Sequence, residues 1–527
     1  MNIPAIPKEK FEFANTSDKI HDKKFDDKPI GYFKDAWLRF QKNRSSVVAA
    51  VIIILIIAFS VFCPLFITTH DNSFSDTKYQ MMPARIAWAK ENLGILDGGK
   101  NYTNPTAAVM RLTAIGIGAA DPTGKDTSYA AGSKSEYNPI ISVEYAGDFL
   151  NEKKQKEQRY NYRLDEYLAV GFEWKQVSPA EYEKMRQWEE ETGKPLFYPL
   201  IERNEWNTSS TAPNDPGDPN VWFKASGKTN KPVTVDANGK PTEIKYSENM
   251  VLEDNYQRDA DGNPIYFEYV GGSESPEYRV RVLYYNYYQY KNGFEPNYIM
   301  GTDKVGYDMA LRIAGGIQTS LIIAVAVCAI NFILGAMYGA VEGYYGGTLD
   351  LILERVSDIL SGVPFIVVAT LFRLHLAKHV GPIVCLLFAY IVTGWIGTAY
   401  RVRTQFYRFK NQEYVMAART LGANDTRIIW KHIFPNTLGT IITSSALAIP
   451  GAIMSESMLS YLGIISLGGK DGTSLGTLLN DAQSVWSQAP HLLLFPALVI
   501  SLLMICFNLF GNGLRDAFNP SLRGVEE

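Results

Sequence analysis

Glu413-Tyr414-Val415-Met416-Ala417-Ala418-Arg419-Thr420-Leu421-Gly422, continuing to His432-Ile433-Phe434-Pro435-Asn436, is the stretch whose reading decides the fold. A helix-forming run with small residues closes on Gly422, and a basic segment closed by Pro435 precedes the next apolar run. This is the pattern of a short helix lying between two membrane spans. Arg401, Arg403, Arg408 and Lys410 come before or at its start, Arg419, Arg427 and Lys431 follow, and only Glu413 and Asp425 oppose them. Such an excess of basic residues beside apolar runs marks the cytoplasmic side. Residues 401–436 are therefore expected to form a cytoplasmic loop built to touch another protein.

Outward from this loop the chain divides into two populations that its averages conceal. Across 527 residues a fifth of the side chains are charged, the formal net charge is −4, and the mean hydropathy is −0.10. A chain this long is expected to split into domains. Residues 47–67 nevertheless hold no charged side chain, and at roughly 1.5 Å per residue such a run crosses a ~30 Å hydrocarbon core. Further spans are expected at about 317–341, 359–376, 382–400, 437–462 and 491–510. Six spans with both termini cytoplasmic satisfy the charge cues, and the tail 517–527 then lies inside. The N-terminal 46 residues carry ten Lys and Arg against seven Asp and Glu, ending in Trp37-Leu38-Arg39-Phe40-Gln41-Lys42-Asn43-Arg44. A basic and aromatic run directly before a span reads as an interfacial helix, after a tail. The polar tail and the lack of a small-residue cleavage site make the first span an anchor rather than a cleaved signal.

Residues 69–297 are polar and aromatic, with 26 Lys and Arg against 34 Asp and Glu. Long segments translocate regardless of charge, so the expectation is an extracytoplasmic α+β domain inserted between the first and second spans. Within it, 232–246 reads as a hairpin turning at Asn238-Gly239, 279–288 as an aromatic strand, and 149–168 and 179–192 as charged helices. Its Tyr and Trp side chains are expected to fill its own core. Cys63, Cys328, Cys385 and Cys506 all lie in apolar runs, so the insert folds without disulfides.

Several local patterns point to chemistry that their context does not support. Gly94-Ile95-Leu96-Asp97-Gly98-Gly99-Lys100-Asn101 resembles a phosphate loop, but Asn101 stands where Ser or Thr must hold magnesium. It reads as a glycine turn, and ATP must be hydrolysed by another polypeptide. His375 and His379 share one helical face as metal ligands would, yet with no third ligand and with Lys378 adjoining they read as boundary residues, and no metal site is expected. Glu456 lies inside the fifth span, where a carboxyl is costly. It faces either the translocation pathway or a hydrogen-bonded helix contact with Ser455 and Ser457. Gly335, Gly339 and Gly343, four apart, read as ordinary close helix packing.

The quoted stretch resembles the signature loop of the membrane subunits of bacterial ABC importers. That family carries Glu-Ala-Ala, three residues, Gly, and later Leu-Pro or its equivalent. Here the pattern falls on Met416-Ala417-Ala418, Gly422 and Phe434-Pro435, with Met416 in place of the usual Glu. Gly301-Thr302-Asp303-Lys304-Val305-Gly306-Tyr307-Asp308 and Gly343-Tyr344-Tyr345-Gly346-Gly347 are likewise similar to family runs. The wider text is most similar to the C-type permease subunit of oligopeptide and dipeptide importers. The resemblance covers residues 31–67 and 297–523, and it does not cover the insert.

The resemblance implies an all-α polytopic membrane protein with the ABC importer type I permease fold, its permease core at 298–516, in the bacterial cell membrane. It implies a coupling role for Glu413, Met416, Ala417, Ala418, Arg419, Gly422, His432, Pro435 and Asn436. The chain would be a non-catalytic subunit that binds no cofactor, ATP and Mg residing on partners. Those partners would be a homologous permease, two cytoplasmic ATPases and an extracellular solute-binding protein; nucleic acid is not among them. The insert departs from the family, and the separate expectation for it is that it docks or orients the binding protein at the outer mouth. The alternative is a membrane-anchored surface domain for binding, adhesion or sensing, which six spans and a patterned loop argue against.

Overall fold

The computed structural model describes residues 32–67, 73–106, 137, 139–150, 154–204, 207, 215–224, 234–235, 241–242, 251–252, 254–271, 276–467 and 473–518. A short helix, α1 (Tyr32–Lys42), precedes the first long one, α2 (Arg44–Phe66). Asn43 separates them and caps α2 by accepting from the Ser46 N–H at 3.3 Å, satisfying one donor that helix geometry leaves open. Ala36 and Phe40 of α1 are buried against Ala517 near the far end of the chain, and Phe40 meets Phe510 edge-on at 5.4 Å.

The inserted segment builds a mixed structure. Its elements are α3 (Ala87–Leu93), β1 (Gly99–Tyr102), β2 (Ile140–Leu150), β3 (Lys156–Asp165), α4 (Glu166–Ala169), β4 (Phe172–Val177), α5 (Pro179–Thr192), β5 (Phe197–Tyr198), β6 (Thr234–Val235), β7 (Pro241–Thr242), β8 (Val251–Leu252), β9 (Phe267–Val270), β10 (Glu277–Leu283) and α6 (Tyr284–Asn292). β3 pairs antiparallel with β1 and β2, while β10 pairs antiparallel with β4, β5 and β9. α5 has the expected boundaries: Ser178 accepts from the Glu181 N–H, Pro179 opens the helix and Gly193 closes it at φ +68°.

Two expectations for the insert fail. Residues 149–168 are mostly strand, because Tyr160, Tyr162 and Leu164 alternate toward one face beneath the charges. The strand expected at 279–288 ends at Leu283, after which α6 carries Tyr284, Tyr285 and Tyr288 inward on one helical face. Thr234 and Val235 do pair antiparallel with Thr242 and Pro241, and the Asn238-Gly239 turn lies outside the described residues. The aromatics fill the insert's core, with Tyr79, Tyr167, Phe172, Tyr198, Tyr284, Tyr288 and Tyr298 in one cluster. Gly94, at φ +64°, ends α3, so the run that resembles a phosphate loop is a turn leading into β1.

The chain returns to the helices through the Gly301–Asp308 motif, which seats the insert. Thr302 Oγ accepts from the Met82 N–H at 2.8 Å and donates to the Tyr79 carbonyl at 2.5 Å. A Cβ on Gly306 would lie 1.9 Å from the Asp76 carbonyl oxygen, so only glycine permits this approach. Asp308 then caps α7 (Met309–Tyr345) by accepting from the Ala310 N–H.

Beyond α7 come α8 (Gly347–Ser361), α9 (Phe365–Val380), α10 (Pro382–Thr393), α11 (Ile396–Phe409), α12 (Glu413–Thr420), α13 (Asp425–Arg427), a π-helical turn at Ile428–Ile433, α14 (Phe434–Ala446), α15 (Ala448–Tyr461), α16 (Leu475–Ala482) and α17 (His491–Phe518). Among the described residues, five helical stretches are long and apolar enough to cross a membrane, or six where the α8–α9 pair, bent by 72°, is taken as one span. The third expected span falls on this bent pair. Gly362-Val363-Pro364 interrupts it, since Pro364 cannot continue the helix hydrogen bonding. The core joins α2, α7, α15, α16 and α17 through Ile53, Ile313, Ile317, Ile453, Leu475 and Leu503.

Candidate functional site

The loop between the fourth and fifth long helical stretches is held from beneath. α12 turns Val415 and Ala418 inward, the π-helical turn contributes Ile428, Ile429 and Ile433, and these close on Ala336, Ala340, Val402 and Phe406 of α7 and α11. Glycines make this floor close-packed. A Cβ on Gly339 would lie 2.2 Å from the Ala399 carbonyl oxygen, and one on Gly343 would lie 2.6 Å from Phe406 Cβ. α7 and α11 therefore touch through backbone.

Polar bonds fix the loop's edges. The Tyr344 hydroxyl donates to Asp425 at 2.5 Å and accepts from Arg419 Nη2 at 3.4 Å. Asn436 Nδ2 donates to the His432 carbonyl at 2.8 Å and the Tyr414 hydroxyl at 3.3 Å, linking the two ends of the quoted stretch. α12 ends as Gly422 takes φ +81°, its N–H bonding the Arg419 carbonyl while the Ala423 N–H bonds that of Ala418. The left-handed turn lets the chain reverse where a Cβ would be strained.

The opposite side of the loop is open. Glu413, Tyr414, Met416, Ala417, Arg419, Leu421 and Gly422 are exposed, and Leu421 stands out at 87%. Pro435 and Asn436 are exposed and His432 half-buried. Of the two motif alanines, Ala417 faces out and Ala418 is a buried floor residue, so only Ala417 lies on the open side of the loop. Leu421 adds apolar surface beside the motif residue Met416, and the motif spacing did not single it out.

Two further groups complete the helical part. Glu456 is 1% exposed and accepts from Ser320 at 2.9 Å, Ser460 at 3.0 Å and Ser457 at 3.4 Å, so its carboxyl ties α15 to α7. Arg403 on α11 bonds Asp350 and Glu354 on α8. Sequence reading missed this network, although Asp350 and Glu354, four apart beside an apolar run, were a signal for it. His375 and His379 are exposed on α9, and no group of three or more metal-capable side chains occurs among the described residues.

Residues 331–524 match the binding-protein-dependent transport system inner membrane component family, and residues 31–83 match the N-terminal transmembrane domain of oligopeptide transport permease C. The dipeptide transport system permease protein DppC of Bacillus subtilis is 42% identical over 226 residues, 42% of this chain and 68% of that protein. The DppC of Lactococcus lactis is 39% identical over 224 residues, 42% of this chain and 64% of that protein. The oligopeptide transport system permease protein OppC of Bacillus subtilis is 40% identical over 225 residues, 42% of this chain and 72% of that protein. Among solved structures, inward facing conformations of the MetNI methionine ABC transporter align at 14% identity and TM-score 0.33, covering 40% of this chain and 98% of that one. The chain belongs to the family of ABC importer membrane permeases, and within it to the C-type subunits of oligopeptide and dipeptide systems.

Proposed function

We propose that this chain forms half of the translocation pathway of an ATP-driven importer of peptides, and that its 401–436 loop couples the pathway to separate cytoplasmic ATPases. One observation carries the reading. The loop is seated on α7 and α11 by buried aliphatic side chains while Tyr414, Met416 and Leu421 project outward at its turn. An ATPase closing on nucleotide displaces whatever fits its surface, and a seated loop transmits that displacement to the helices. The peptide substrate is supported by the names that the dipeptide and oligopeptide relatives carry. A homologous permease, two ATPases and a binding protein complete the assembly. The 69–297 segment lies outside the cell, both termini lie inside, and the insert orients the binding protein at the outer mouth.

The test is copurification from mild detergent of wild type and Gly422→Arg, with identification of the associated chains. Gly422 has open space around it, so the substitution strains the turn and fills the docking side without clashing with the floor. ATPase recovered with wild type and lost with the variant supports the loop's role. No ATPase with either chain overturns it.

A further inference from the structure

The insert carries an apolar surface at its base, where it meets the long helices. α3 and the turn after it expose Trp88 at 64%, Leu93 at 56%, Ile95 at 53% and Leu96 at 40%, four large apolar side chains within nine residues. Single exposed apolar residues need no explanation, but such a cluster does. The insert's own packing does not use them, since Ala89 is the buried residue of α3. Leu96 sits at φ +52°, in a left-handed region that residues with a Cβ seldom adopt. Backbone bonds tie this surface to the level of the helix ends. His491, the first residue of α17, has a ring nitrogen 3.4 Å from the Thr302 carbonyl. The Thr302 N–H donates to the Met82 carbonyl at 3.0 Å, the Arg85 N–H to the Tyr298 carbonyl at 2.8 Å, and the Ile86 N–H to the Leu96 carbonyl at 2.9 Å. Ile299, beside Tyr298, is 48% exposed and lines an apolar groove with Phe59, Phe62 and Phe66 of the last turns of α2. Trp88 is three residues beyond Arg85, a reach of about 10 Å at most.

We propose that α3 and the 94–96 turn dip into the lipid leaflet on the insert's side of the membrane, setting Trp88, Leu93, Ile95 and Leu96 among the headgroups and upper acyl chains. The surface continues one that the first span already presents: Phe66 is 82% exposed at the end of α2, and Ile299 joins it to the strand that carries α3. A tryptophan suits this depth, because its ring is apolar while its N–H stays within reach of water and headgroups. The charges of α3 lie off the apolar surface. Lys90 bonds Asp165 at 3.0 Å, and Glu91 borders a polar cavity of the insert together with Ala87 and Lys90. A lipid contact here adds to the Gly301–Asp308 seat and holds the insert at a set height over the helices. The leaflet is the outer one on the reading proposed above, but the contact rests only on the chain's crossing of the membrane and not on which side the insert occupies.

The test places the full chain in nanodiscs of phosphatidylethanolamine and phosphatidylglycerol, with Cys63, Cys328, Cys385 and Cys506 replaced by alanine. A nitroxide spin label is then attached through Trp88→Cys, Leu93→Cys or Ile95→Cys. Phe66→Cys serves as the lipid reference, and Tyr269→Cys, at a position 73% exposed on β9, as the water reference. Access to oxygen, which partitions into lipid, is compared with access to a water-soluble nickel chelate. Labels at 88, 93 and 95 are expected to be oxygen-rich and nickel-poor, at a depth of about 5–10 Å below the headgroup boundary. Nickel access equal to that at Tyr269 leaves the surface in water and overturns the proposal. Loss of access to both reagents marks a protein cover, a second copy or another chain, and overturns it too. A nickel-accessible label at Phe66 overturns the membrane crossing itself, so the two failures are told apart. Quenching of tryptophan fluorescence by lipids brominated in their acyl chains needs no cysteine change. Trp88→Phe should lower the quenched fraction relative to wild type, and equal quenching of the two chains overturns the proposal.

Discussion

Arg403 grips Asp350 with both arms of its guanidinium, Nε to Oδ1 at 2.7 Å and Nη2 to Oδ2 at 2.8 Å. The same side chain bonds Glu354 at 2.9 Å and lies 3.7 Å from Glu342, while the Tyr407 hydroxyl donates to Asp350 at 2.5 Å. α8 is thereby bolted to α11, directly ahead of α12. Replacing Arg403 by Ala leaves Asp350 and Glu342, both nearly buried, without their cation, and breaking such a pair costs about 3–5 kcal/mol. Arg403→Lys keeps the charge but loses the two-toothed geometry, so it should fall between. Thermal unfolding in detergent ranks the three chains, and an alanine variant that melts with wild type removes the network from the account.

Gly339 and Gly397 give a matched contrast. A Cβ at Gly339 would meet the Ala399 carbonyl oxygen at 2.2 Å, whereas one at Gly397 meets nothing within 4 Å. Gly339→Ala must push α7 from α11, with an expected cost of about 1–3 kcal/mol. Gly397→Ala should gain about 0.5–1 kcal/mol from the lost conformational freedom of glycine in a helix. Opposite shifts in melting temperature are the expected result, and equal shifts would show that close approach is not what Gly339 provides.

The contrast also shows what could be read in advance. Gly335, Gly339 and Gly343 were legible because a period of four maps onto one helical face. The loop was legible because its Gly and Pro are backbone requirements that stand out in one dimension. The direction of Ala418 was not, since neighbouring alanines differ only by the rotation of α12 over its floor. Residues 149–168 misled because charged side chains on the open face of a strand give the same composition as an exposed helix. The Arg403 network and the Arg85–Asp165 pair join residues 49 and 80 positions apart, a separation that local patterning does not encode.

Glu456 is satisfied within the fold, by hydroxyls of Ser320, Ser457 and Ser460. Glu456→Ala leaves those donors without an acceptor and should cost about 1–3 kcal/mol. Glu456→Gln retains an acceptor oxygen and the volume, so it should cost about 1 kcal/mol or less. In proteoliposomes with all partners, the glutamine variant is expected to keep the wild-type KM for uptake. A large rise in KM with an unchanged melting temperature would instead put the carboxyl on the substrate's path.

Asp97 connects the insert's stability to pH. Burial acts to raise its carboxyl, but the bonds from Arg163, at 2.8 Å from Nε and 2.5 Å from Nη2, and from the Gly99 N–H outweigh that and hold it below the usual value. A carboxyl whose folded value is depressed binds its proton more readily in the unfolded chain. Its contribution is therefore complete above the unfolded value of about 3.9 and disappears as pH falls through the lower folded value. Asp97→Asn should melt the tyrosine-rich core earlier than wild type at pH 7, with the difference shrinking below about pH 4. Near-ultraviolet circular dichroism of the two chains across that range reads it directly. A difference that stays constant through the acid range would assign the loss to the amide's geometry instead of the ion pair.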